Sequence, residues 1–420
     1  MSFAKLRISP KSCAHSLLVC GWTEASNLAE VLTLCSGIAA LGGNMKTGPK
    51  PKRQNSVQRA ARIRAVVQTG AEKLEIQDFE RPKIGKFDGI LKMESCGICG
   101  TDIEQYTGHL KITDYPYIPG HEPLGIIDEI GEEAAKHWGV KPGDRVAVEP
   151  LIPCGHCESC ISGQRNACPN WESYGFTSAT QEPGILGGYA DYMYLRPDTI
   201  LHKVNPDISP EVAAWFNPMG AGVRWAVSAP SLKMGDTIVI LGSGQRGIAS
   251  VIAAKAAGAG KIIVTDLSRA AHKLDLAMSF GADHAIVVDE QDAVEEVARI
   301  TGGRGADVVL DVSTATQPIL DAIEIVRPGG TIILAGMKGD NLTSMMTDKI
   351  VLRSIRLQGV LTVDTASYKT AIRLVEQHHH ELTRVGTQTF GLERAEDAIA
   401  RLAGWDDKPP ATHVVLRPNT

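Results

Sequence analysis

The chain has 420 residues with a formal net charge of −5, 43% hydrophobic and 22% charged. That length suits two domains better than one core. The charge balance argues against nucleic acid or an anionic membrane surface as the main partner, and no apolar run is long enough to span a bilayer. The nine cysteines fall into three near the N-terminus, the pair Cys96 and Cys99, and a cluster from Cys154 to Cys168. Such short spacing reads as metal binding rather than as disulfides, and a reducing, cytoplasmic compartment is the simpler expectation.

Residues 1–61 differ from the rest. An apolar segment, Leu28 to Leu41 with Glu30 inside it, precedes a basic run from Lys46 to Arg64 that carries two prolines and no acid; this composition predicts disorder. Lys5, Arg7 and Lys11 before the apolar part suggest a targeting sequence, but Glu24 and Glu30 stand where such a peptide avoids acids. The expectation is an extension outside the fold, with the functional chain starting near Met45.

From Ile63 onward short alternating runs predict half-buried antiparallel strands: Ile63 to Val67, Leu74 to Asp78, Gly89 to Ser95, Gly125 to Gly131, Asp144 to Pro150 and Gly187 to Leu195. The third delivers the chain to Ser-Cys-Gly-Ile-Cys-Gly-Thr-Asp, and Gly-His-Glu follows at residues 120–122. Cys99, His121 and Glu122 supply a thiolate, an imidazole and a carboxylate, the donor types of a catalytic zinc (Zn2+) with one open position. Further on, Cys154, Cys157, Cys160 and Cys168 are spaced C-x2-C-x2-C-x7-C. Four thiolates fill a tetrahedral zinc shell, so this site is structural.

Near Pro210 the pattern changes. Thr237 to Leu241 is an apolar strand that runs into Gly242-Ser-Gly244-Gln-Arg-Gly247 and a helix of small residues; the strand from Lys261 ends on Asp266, roughly twenty residues past the glycines, as a dinucleotide fingerprint requires. The glycines admit a pyrophosphate to the helix N-terminus. Asp266 accepts hydrogen bonds from ribose hydroxyls and repels a 2′-phosphate, which favours NAD, whereas the nearby Arg269 leaves NADP open. Apolar strands then alternate with helical stretches to Gly330–Met337, predicting a doubly wound parallel sheet. A helix over Thr370 to Gln377, the solvated run His378–His380 and a last strand at His413 to Leu416 complete the chain.

The order of cysteine loop, Gly-His-Glu, four-cysteine lobe and Rossmann fingerprint resembles the medium-chain zinc-dependent alcohol dehydrogenases, closest to the sorbitol and threonine dehydrogenase branch. The resemblance covers residue 62 to the C-terminus. It implies an α/β protein: a split, β-rich GroES-like catalytic domain (62–216 and 360–420) around a Rossmann domain (217–359), assembled as a homodimer or homotetramer. It further implies that Asp102 orients the ligating histidine, that Thr101 accepts the proton of an alcohol or polyol substrate, and that a hydride passes to NAD. Two positions depart from the family's pattern: Glu104 stands where a relay histidine is common, with His109 as a substitute, and Asn217, in Phe216-Asn-Pro-Met-Gly, stands where a third zinc ligand is usually Cys or Glu. Glu122 or water would then complete the shell. The competing reading is a zinc-independent or non-catalytic NAD-binding member of the superfamily with a degenerate site.

Overall fold

A computed structural model describes residues 62–418 apart from residue 340; the extension over 1–61 lies outside the described residues. The chain begins with the hairpin β1 (Arg62–Gly70) and β2 (Lys73–Glu80), followed by β3 (Gly89–Ile98), α1 (Gly100–Tyr106), β4 (Pro123–Ile130), α2 (Glu132–Trp138) and β5 (Arg145–Val148). The lobe contributes only β6 (Leu151–Ile152), α3 (Glu158–Ile161) and β7 (Glu172–Ser173), before β8 (Tyr192–Leu195) and β9 (Leu201–Lys203). β1 and β3 bury Ile63, Ala65, Val67, Leu91 and Met93 in one apolar cluster, and Val66 and Ile90 between them are buried as well, so these strands are covered on both faces rather than half-buried.

Two predicted boundaries move. The basic run is not disordered to its end, because Arg62–Arg64 already belong to β1, where Arg64 pairs with Asp191 and Glu393. The strand predicted from Gly187 is formed only over Tyr192–Leu195. Gly187 and Gly188 instead permit close backbone approach: a Cβ on Gly187 would lie 2.0 Å from the Ile118 carbonyl oxygen, and one on Gly188 would lie 2.6 Å from Cys96 Sγ.

The second half opens with α4 (Pro210–Ala213) and α5 (Phe216–Gly222), which continues as a π-helical segment over Val223–Ser228. Then come β10 (Thr237–Leu241), α6 (Gln245–Ala256), β11 (Lys261–Asp266), α7 (Ala271–Ser279), β12 (His284–Val287), α8 (Ala293–Thr301), β13 (Ala306–Asp311), α9 (Gln317–Ile325), β14 (Val326–Leu334), α10 (Thr347–Leu352) and β15 (Arg356–Gly359). These strands form one parallel sheet in the order β12-β11-β10-β13-β14-β15, the doubly wound arrangement whose crevice lies where the order reverses, between β10 and β13. The chain finishes with α11 (Thr365–Gln377), α12 (His379–Leu382), β16 (Gln388–Phe390), α13 (Ala395–Ala403) and β17 (Val414–Leu416). Helix α11 starts earlier than its apolar pattern suggests because the Asp364 carboxylate caps it, accepting the Ser367 N–H. β17 returns to pair with β3 in the order β16-β17-β3-β4-β5-β9, with β8 also paired to β3. The chain is thus a GroES-like domain joined to a six-stranded Rossmann domain.

The fingerprint glycines have separate duties. Gly242 sits at φ +113°, which favours glycine. A Cβ on Gly247 would meet the Gly242 carbonyl oxygen at 2.0 Å, so this residue sets the approach of α6 to β10, whereas nothing lies within 4 Å of a Cβ on Gly244. Gly247→Ala is therefore expected to cost about 2 kcal/mol by overpacking. Gly244→Ala should leave stability unchanged and weaken only dinucleotide binding. Thermal melts alongside NADH titrations check both.

Candidate metal centre and nucleotide cleft

β3 carries Cys96 and ends at Ile98, so Cys99 becomes the N-cap of α1. The Cys99 sulfur accepts the Thr101 N–H at 3.3 Å, and Asp102 Oδ2 accepts the Cys99 N–H at 2.8 Å. This reciprocal cap fixes the cysteine's direction before any metal is considered. His121 and Glu122, immediately before β4, come in from the neighbouring strand. His121 Nε2 lies 3.2 Å from Cys99 Sγ, while Nδ1 faces Asp102 Oδ1 at 3.5 Å. One ring nitrogen thus points at the thiol and the other at a buried carboxylate, the arrangement that orients a metal-ligating histidine.

Donor atoms of Cys99, His121 and Glu122 lie within 4.8 Å of one another, and all three residues are buried. Tetrahedral zinc with one sulfur and one nitrogen ligand places those atoms roughly 3.5 Å apart, close to the separation found. Glu122 Oε2, His121 Nδ1 and Asp102 Oδ1 have no hydrogen-bond partner although buried; such a cluster is costly without a cation. The set fits a divalent metal. Burial lowers the His121 pKa, but Asp102 and Cys99 outweigh it and raise the value well above the usual imidazole range. Burial raises the Glu122 pKa, opposed by Arg246.

The lobe holds the second set. Cys154, Cys157, Cys160 and Cys168 also lie within 4.8 Å of one another. Cys168 Sγ is 3.6 Å from Cys154 Sγ and 3.8 Å from Cys157 Sγ, against an edge of about 3.8 Å for a tetrahedron with zinc–sulfur bonds of 2.3 Å. A backbone N–H from His156 helps lower the Cys154 pKa to about 6, whereas burial and the neighbouring thiols raise that of Cys160 to about 12, the divergence expected of thiols that titrate together in one site. All six described cysteines are free. Cys96 stands apart from both sets, with a buried thiol directed at the Gly97 carbonyl oxygen.

Asn217, on α5, is not a free donor. Its amide nitrogen donates to the Tyr368 hydroxyl at 3.0 Å and its oxygen accepts from Arg246 Nη1 at 2.8 Å. Glu104 is half-buried and its carboxylate lies 3.5 Å from His109 Nδ1, so the two relay candidates form one pair. Of the large side chains near the cleft, Tyr174, Trp215 and Met219 are core. Phe176 packs its ring 5.3 Å from that of His121. A cavity of about 730 Å³ lined by Asn166, Arg224 and Val360 touches none of Cys99, His121 and Glu122.

At the nucleotide cleft, α6 has no side-chain cap, and its first N–H groups are available to phosphate. With the open space beside Gly244, these groups fit a pyrophosphate. Asp266 ends β11; its Oδ2 accepts from Ser243 N–H and Oγ at 2.8 and 2.6 Å. Arg269 is exposed nearby.

Three residues escape the sequence reading. Arg246, inside the fingerprint, reaches Glu122 Oε1 with Nη2 at 2.5 Å; a basic residue in an otherwise small, neutral motif is the available signal. Lys273 is buried, and burial lowers its pKa despite the Asp266 charge. His413 is buried against Trp215, with ring centroids 4.7 Å apart, and its Nδ1 lies 3.0 Å from Thr387 Oγ1. Nothing in the spacing of the last two marks them.

Such a fold with these two donor sets defines a zinc-binding dehydrogenase. The comparisons agree: residues 85–206 match the family described as alcohol dehydrogenase GroES-like domain, and residues 247–377 the family described as zinc-binding dehydrogenase. A protein of Mycobacterium tuberculosis called "Probable alcohol dehydrogenase adh" is 42% identical over 363 residues, covering 85% of this chain and 98% of its own. Sorbitol dehydrogenase of Bacillus subtilis is 32% identical, with 85% and 98% covered. The crystal structure of an alcohol dehydrogenase from Thermotoga maritima superposes with a TM-score of 0.76 at 27% identity, covering 86% of this chain and 100% of that one. The chain belongs to the medium-chain zinc-binding alcohol dehydrogenase family. It carries a catalytic-type Cys-His-Glu set and a structural four-cysteine set.

Burial, with the Arg246 charge adding to it, holds the His413 pKa down to about 3, below an unfolded value of about 6.5. The unfolded chain therefore binds the extra proton. This contribution to stability is complete above pH 6.5 and is lost as pH falls toward 3. His413→Gln should remove up to about 2 kcal/mol of the stability lost between pH 7 and pH 5, read by urea unfolding at the two values.

Proposed function

We propose that the protein oxidises a secondary alcohol or polyol with NAD, using Cys99, His121 and Glu122 to hold a catalytic zinc. The observation that carries this reading is the buried convergence of a thiol, an imidazole Nε2 and a carboxylate whose Oε2 has no partner, which calls for a cation. When bound, zinc would supply the Lewis acidity that makes an alcohol acidic near neutral pH, and the nicotinamide would accept the hydride.

The chain's own residues supply orientation and proton movement. Asp102 holds the His121 ring through Nδ1, which leaves Nε2 toward the metal side. Thr101, on the first turn of α1, would take the substrate proton, and Glu104 or the His109 beside it would carry the proton onward. Phe176 beside His121 gives one wall of the substrate site an apolar surface. Sorbitol dehydrogenase among the relatives supports a polyol or secondary alcohol as the substrate class. Asn217, with both ends of its amide engaged, leaves Glu122 or water as the third donor.

NAD is favoured because the Asp266 carboxylate ends β11 and is anchored by Ser243. The division into a catalytic domain (62–216 and 360–420) around a nucleotide domain (217–359) is supported by the return of β17 to β3. A homodimer or homotetramer is supported by the sheet edge at β15 and by the exposed side chains of Val351, Leu352 and Leu361 nearby. No helix among the described residues is long and apolar enough to cross a membrane. The free, clustered thiols support a reducing, cytoplasmic setting.

Cys99→Ala and His121→Ala should each abolish alcohol-dependent NAD reduction while NADH still binds; turnover retained in the metal-free protein would contradict the assignment. Asp266→Ser should shift the NAD:NADP preference in kcat/KM toward NADP by at least about tenfold, since it removes roughly 1.4 kcal/mol or more of discrimination. Steady-state kinetics with both cofactors check this.

A further inference from the structure

Arg246 belongs to the nucleotide-binding fingerprint by sequence and to the metal site by contact. It lies on the first turn of α6, directly after Gln245, whose side-chain amide donates to the Ile98 carbonyl oxygen at 3.2 Å. Its guanidinium is forked. Nη2 donates to Glu122 Oε1 at 2.5 Å and Nη1 to Asn217 Oδ1 at 2.8 Å, while the group lies 5.6 Å from the Trp225 ring centre. Glu122 is fully buried. Its second oxygen has no partner and is accommodated because Gly97 has no side chain, where a Cβ would lie 2.2 Å away. The close crossing of α5 and α6, with Gly222 against the Ala249 backbone, fixes the separation of Asn217 and Arg246.

We propose that Arg246 is a positioning residue that latches Glu122 and Asn217, limiting how fully either can ligate the catalytic metal. Cys99 and His121 are then the fixed donors. The third protein position depends on the fingerprint helix, because the residue that neutralises Glu122 is carried by the helix that receives the cofactor phosphates. An arginine fork holds a carboxylate and an amide oxygen in defined directions as a point charge does not. Release of the latch frees a buried, unpaired carboxylate next to the metal position, where binding the ion is its best available compensation.

The inference rests on the zinc reading above. Its test is the zinc affinity of the full-length protein by chelator competition, with Cys99→Ala identifying the signal that belongs to the four-cysteine lobe. Arg246→Gln should tighten zinc binding at the catalytic site by about tenfold, the scale of changes around metal ligands. In a Glu122→Gln background the gain should be smaller by at least about threefold, the remainder coming from the Arg246 charge that also acts on Cys99. Arg246→Lys, which keeps the charge and loses the fork, should give a smaller gain of the same sign that vanishes with Glu122→Gln; it decides the matter if Arg246→Gln does not fold. Equal effects in both backgrounds, or no tightening, overturn the latch alone. Absence of any zinc signal beyond the lobe in the unsubstituted protein overturns the zinc reading and the latch with it.

Discussion

Everything at the metal site follows from burying too many acceptors in one place. Cys99, Asp102 and Glu122 are packed together behind β3 with at most 4% of any of them exposed. Against them the chain sets His121 and the Arg246 guanidinium. At an effective dielectric of 20, each unit-charge contact at 4 Å is worth about 4 kcal/mol, so leaving even one of these groups without a counter-charge is expensive. A divalent metal satisfies the set with the geometry that the α1 cap already imposes on Cys99. Metal and nucleotide machinery are consequently not independent, because one of the compensating cations arrives on α6.

The two metal sets illustrate different solutions to the same solvation problem. In the lobe, four thiols converge from one short segment around α3, outside the two main apolar clusters and with only Cys168 buried. That local convergence holds the segment together in place of an apolar interior, as a closed structural zinc shell does elsewhere. At the catalytic-type set the donors come from separated segments, Cys99 at the start of α1 and His121–Glu122 before β4, so the sheet pairing of β3 with β4 builds the site. The final strand, β17, pairs with β3 as well and brings buried His413 to the same region.

Much of this is legible in the sequence because it is local. The fingerprint glycines, the strand before them and the acid after them lie within one βαβ unit, and the four lobe cysteines lie within one loop, so spacing alone conveys their geometry. Cys99 and His121 lie in separated segments and are legible from their donor types and the glycine-rich motifs around them rather than from spacing. What escapes depends on distant segments meeting. Arg246 and Glu122 are 124 residues apart, and no periodicity announces that contact. Lys273 and His413 read as ordinary helix and strand residues until burial is known. Gly187 and Gly188 look like the start of a strand, but their lack of a side chain serves close packing against Ile118 and Cys96. The early start of α11 is set by a cap rather than by apolar period.

Oxidation of an alcohol at the proposed Cys99–His121–Glu122 site, with a nicotinamide as acceptor, makes turnover depend on the metal held there. The most direct measurement is NADH formation across a panel of polyols and secondary alcohols by one preparation, followed through stripping of the more labile metal and stoichiometric return of zinc. Activity toward at least one member of the panel is expected, with its loss as that metal leaves while the fold stays intact, and its recovery as zinc is restored. Undiminished activity after the catalytic-site metal has gone would contradict it.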